Sequence, residues 1–118
     1  MYRVLDESSG RTVGIKVDGK LTNNDYEVLV PYFENLINEY GSLNLLCDMT
    51  QFSGVEIGVF WEDFKFSIRH VRDFTRMAIV GDEQWLDWYT TIFNPMVKTE
   101  LKCFSSKHIH DAWNWVKA

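Results

Sequence analysis

Residues 43–54 read LNLLCDMTQFSG. Leu43, Leu45, Leu46, Cys47 and Met49 form a near-continuous apolar run with an acid, Asp48, near its end. A strand buried on both faces has this pattern, whereas a half-exposed strand alternates. The stretch therefore predicts a central strand, a turn over residues 50–54 and a helix over about 55–71. Ile57, Phe60, Trp61, Phe64, Ile68 and Val71 supply that helix with an inner stripe. Val59 and Phe66 fall off the stripe, so the helix is apolar more than halfway round.

Upstream, Tyr2–Leu5 is a short strand candidate followed by the turn-rich DESSGR. From Thr12 to Asp18 the pattern alternates, with Val13, Ile15 and Val17 on one side and Thr12, Gly14 and Lys16 on the other. That is the period of a half-buried strand, and the two strands read as a hairpin with a longer loop. The period then changes. Thr22 and Asp25 have capping-box spacing, with Asp in place of the usual Glu or Gln. Tyr26, Leu29, Phe33, Leu36, Ile37 and Tyr40 mark a helical stripe, and Gly41 is a natural stop. Pro31 interrupts that stripe, because its ring clashes with the carbonyl of Glu27, and it predicts a kink or a restart.

Downstream, residues 74–80 read as a second buried strand. Gly81 and Asp82 open a third helix with Asp82 as N-cap, and Trp85, Trp88, Tyr89 and Ile92 face inward. Residues 97–104 alternate as an edge strand, with Lys98, Glu100 and Lys102 on one face. Ser105 or Ser106 then caps a last helix with Ile109, Ala112, Trp113 and Val116 inside. This order predicts an α/β fold, a mostly parallel five-stranded sheet with four helices, in one domain over residues 1–118.

The totals limit the function. A net charge of −5 lacks the gathered cations of a nucleic-acid footprint, and the nearest cluster, Lys65, Arg69, Arg72 and Arg76, is broken by Asp63 and Asp73. No apolar run of about 18 residues marks an integral membrane segment, and the first residues lack a signal pattern. The expectation is a soluble, cytoplasmic protein. Cys47 and Cys103 sit in apolar runs without CxxC spacing, which suggests reduced thiols.

Motifs for chemistry are sparse. In HIHD, residues 108–111, the two histidines would point about 200° apart on a helix and could not share one ion. No GxSxG, GxGxxG or GxxxxGK[ST] occurs, and nothing sets a nucleophile beside His70. No metal, cofactor or enzymatic activity is expected. The strand–turn–helix corner is the exception. Asp48, Thr50, Ser53 and Gly54 occupy the carboxyl end of the central strand, where helix N–H groups favour negative charge. Glu62 and Asp63, with Val59 and Phe66 beside them, form a candidate interaction face, since a helix apolar outside its core stripe often meets another surface.

The order of elements, together with GKLTNNDYEVLVPYFENLI, LLCDMTQFSG, FWEDFKF, RMAIVGDEQW and DAWNWV, resembles the SpoIIAA-like branch of the STAS superfamily of anti-sigma-factor antagonists. The resemblance spans nearly the whole chain. It implies a βα superhelix and a serine that a partner kinase phosphorylates to switch binding, with Ser53-Gly54 the best-matching position. This fold is also similar to lipid-carrying CRAL-TRIO domains, which suggests an apolar pocket near Trp61, Phe64, Trp85 and Trp88. The first expectation is thus a bacterial, non-enzymatic regulatory module that binds a protein partner or itself as a homodimer. The second is a carrier or sensor of a small hydrophobic ligand.

Overall fold

The structure is a computed structural model that describes residues 2–55, 74–82 and 100–118. Five strands make one sheet: β1 (Tyr2–Val4), β2 (Thr12–Leu21), β3 (Leu43–Val55), β4 (Phe74–Val80) and β5 (Glu100–Phe104). Helix α1 (Asn23–Tyr40) joins β2 to β3. A 3₁₀ turn, Ser106–His108, leads into α2 (Ile109–Lys117). The strands lie side by side in chain order. β1 pairs antiparallel with β2, Tyr2 opposite Val17 and Val4 opposite Ile15, and the other three pairings are parallel. The sheet is therefore mixed rather than mostly parallel, because the opening strand returns as a hairpin. Two α-helices stand among the described residues instead of the four expected. The helices expected over 55–71 and from Asp82 onward fall on residues outside the description, apart from their first positions.

Alternation along β3 sorts two cores to opposite sides of the sheet. Leu43 and Leu45 join Val13, Ile15 and Phe74 beneath Leu29 and Phe33 of α1. Leu46 joins Ala78 and Val80 beneath Ala112, Trp113 and Val116 of α2. Leu43, Leu46, Val80 and Val116 are fully buried, as the apolar run of a central strand requires.

The start of α1 is set by the capping box. Thr22 Oγ1 accepts the Asp25 N–H at 3.2 Å, and Asp25 Oδ2 accepts the Thr22 N–H at 3.1 Å, so Asp does the work of the usual Glu. Burial works against the Asp25 carboxylate, yet the hydrogen bonds it accepts, those of Thr22 included, hold its pKa below the ordinary value. At the far end Gly41, at φ 84°, donates its N–H to the Ile37 carbonyl. Pro31 neither ends nor restarts the helix, which is assigned unbroken across it. The ring sits at an exposed position, while Leu29 and Phe33 on either side are buried in the core; that packing outweighs the lost hydrogen bond.

β3 also departs from expectation. It runs on to Val55, through the turn predicted at residues 50–54. The second half of β2 supplies partners there: Asp18 faces Gln51, Gly19 faces Phe52, Lys20 faces Gly54 and Leu21 faces Val55. Two irregularities each place one extra residue on β3, one of them across Met49–Thr50 and the other at Ser53. Turn-forming residues are thereby absorbed as bulges without breaking the strand.

Candidate functional site

The carboxyl ends of β4 and β5 meet β3 and β2 in one row. Lys16, Asp48, Val80 and Phe104 stand in register across β2, β3, β4 and β5. β3 continues beyond that row, and its first bulge turns the chain so that Asp48 bonds forward. Asp48 is 7% exposed; its Oδ1 accepts the Thr50 N–H at 3.0 Å and the Thr50 hydroxyl at 2.6 Å. A buried carboxylate needs such donors to offset its desolvation. Thr50 and Gln51 are exposed on the outside of the bulge. The corner thus presents a hydroxyl and backbone over a buried acid.

Ser53 and Gly54 lie within β3 rather than at the first turn of a helix. The structure places Asp48 and Thr50 in direct contact and sets Ser53 and Gly54 farther along the same strand. Val59, Glu62, Asp63 and Phe66 lie outside the described residues, as do Trp61, Phe64, Trp85 and Trp88.

A second polar junction stands two strands away. Asp82 accepts the Ser106 N–H at 2.9 Å and the Ser106 hydroxyl at 2.7 Å, while the helix it was expected to cap lies outside the described residues. The backbone and then the hydroxyl of Ser106 hold the Asp82 carboxyl below the ordinary carboxylate value, and Lys107 adds to the effect. Ser105 is the N-cap of the 3₁₀ turn but makes no side-chain capping bond. The cap comes from a neighbouring strand, a pairing that no local spacing signals.

The far end of α2 is held from the same strand. Arg76 Nη1 donates to the Trp115 carbonyl at 2.7 Å, its guanidinium carbon lies 5.2 Å from the Trp115 ring centre, and its Nε pairs with Glu100 at 3.3 Å. Lys102 Nζ lies 5.2 Å from the Phe104 ring and 5.8 Å from that of Trp115. Sequence reasoning missed this group; its signal was the alternation of Glu100 and Lys102 on an edge strand. His108 and Asp111 do meet, at 3.2 Å and both exposed, as helical spacing implies. No group of three or more metal-ligating side chains gathers among the described residues. No helix among them is long and apolar enough to cross a membrane.

The family model for SpoIIAA-like proteins matches residues 12–117. The chain belongs to the SpoIIAA-like family. This SpoIIAA-like chain is similar to the crystal structure of an uncharacterized protein of the DUF3478 family with a SpoIIAA-like fold, from Shewanella loihica PV-4. That match has 29% identity, a TM-score of 0.82, and covers 98% of this chain and 93% of the other. It is also similar to the anti-sigma factor antagonist SpoIIAA in its unphosphorylated form, at 12% identity and a TM-score of 0.61, covering 97% of this chain and 98% of that one. At that identity the likeness shows a shared α/β fold. No curated protein matches the SpoIIAA-like chain significantly.

Proposed function

We propose that this SpoIIAA-like chain is a non-enzymatic regulatory module that acts by binding protein, through the carboxyl end of β3. The observation that carries the reading is the run of β3 past Asp48, the last β3 residue paired with β4, which leaves Thr50 and Gln51 exposed beside the buried carboxylate of Asp48. Loop-like, exposed backbone at the carboxyl ends of a sheet is where α/β folds place their contacts. The family supports it in coarse form, since SpoIIAA is an anti-sigma factor antagonist and so works on another protein. Within this reading Ser53 and Gly54 belong to the contact strand, and Val59, Glu62, Asp63 and Phe66 are proposed as further contact residues. Ser53 as a phosphoryl acceptor is a further element of the proposal, a bulged position on an edge that a charge could alter.

Native mass spectrometry of the protein purified from its own cells tests the reading. The expected spectrum shows the bare chain, its multiples, or a complex with another polypeptide. An added mass of a few hundred daltons that leaves on denaturation would point instead to a bound hydrophobic ligand and overturn it.

A further inference from the structure

We draw no further inference here: the strongest candidate, the surface patch where Lys102 rests over the rings of Phe104 and Trp115 at the meeting of β5 and α2, carries nothing because no feature of the structure shows what covers it.

Discussion

Gly14 lies in β2 directly beneath the indole of Trp113, and a methyl group placed there tests how firmly α2 is seated. An added Cβ would stand 2.3 Å from Trp113 Cη2, 2.6 Å from Cζ2 and 3.3 Å from Leu5 Cδ1. Carbon atoms rest at about 3.5–4.0 Å, so the indole must retreat by more than about 1 Å. It has little room to do so. Trp113 is 6% exposed and packs in one cluster with Leu46, Ala78, Val80, Ala112 and Val116, all five completely buried. The backbone of β2 cannot yield either, because Gly14 is pinned by its own N–H, which donates to Ser8 Oγ at 2.8 Å, and by its carbonyl, which accepts the Leu5 N–H at 2.8 Å. Overpacking of this kind costs about 1–3 kcal/mol, and two immobile sides place Gly14→Ala near about 3 kcal/mol. That is a large share of the roughly 5–15 kcal/mol that holds a domain together. Urea unfolding followed by circular dichroism measures it. Trp113→Leu removes the obstructing ring, so in a double-mutant cycle Gly14→Ala should cost at least about 1.5 kcal/mol less in that background. A loss under about 1 kcal/mol, or the same loss with Leu at 113, would refute the argument that ring and glycine are fitted to each other.

Other expectations are as direct. Pro31→Ala restores a backbone donor to an exposed turn of α1 and should raise stability by about 1–2 kcal/mol in urea unfolding, after the looser unfolded chain is counted; a destabilised variant would show that the ring is needed where it is. Asp82 has a depressed pKa, so its contribution is present above the unfolded value and fades as pH falls through the folded one. Asp82→Asn should therefore lower the urea midpoint at neutral pH, with the gap closing in acid below the ordinary 3.8; a gap that persists in acid would assign the loss to something other than ionisation. Cys47 and Cys103 are both register partners of Ile79, so they lie two strands apart, about 9–10 Å, beyond the roughly 7 Å a disulfide spans. Protein unfolded without reductant should titrate as two thiols per chain, and a loss of both in the monomer would contradict the register.

Much of the frame was legible because it rests on local periodicity. The apolar run at Leu43–Met49 marked the central strand, the alternation at Val13, Ile15 and Val17 marked its neighbour, and Thr22 with Asp25 fixed the start of α1. What stayed hidden depends on partners far along the chain. Gln51, Phe52, Ser53 and Gly54 look like a turn until the second half of β2 is laid beside them, and pairing partners do not announce themselves in composition. Pro31 has the same lesson from the other side, since local steric cost was overridden by Leu29 and Phe33 reaching a core that sequence alone did not locate. Of the candidate corner, the sequence brought Asp48 and Thr50 to one strand end but not the hydrogen bonds between them, which depend on the bulge in β3. The bonds of Asp82 to Ser106 and of Arg76 to the Trp115 carbonyl were not legible either, because each crosses between elements.

The meeting of Gly14 with Trp113 also bears on how the protein is made. The strands are laid down in the order in which they emerge from the ribosome, so the α1 side of the sheet can assemble early and grow one edge at a time. The other side cannot. Its indole comes from α2 and its seat from the second strand, so Leu46, Ala78 and Val80 lack the cover of Ala112, Trp113 and Val116 until α2 has been synthesised. A nascent chain stalled before α2 would leave the apolar seat of Trp113 open, a state that chaperones and proteases can tell from the sheet with α2 in place.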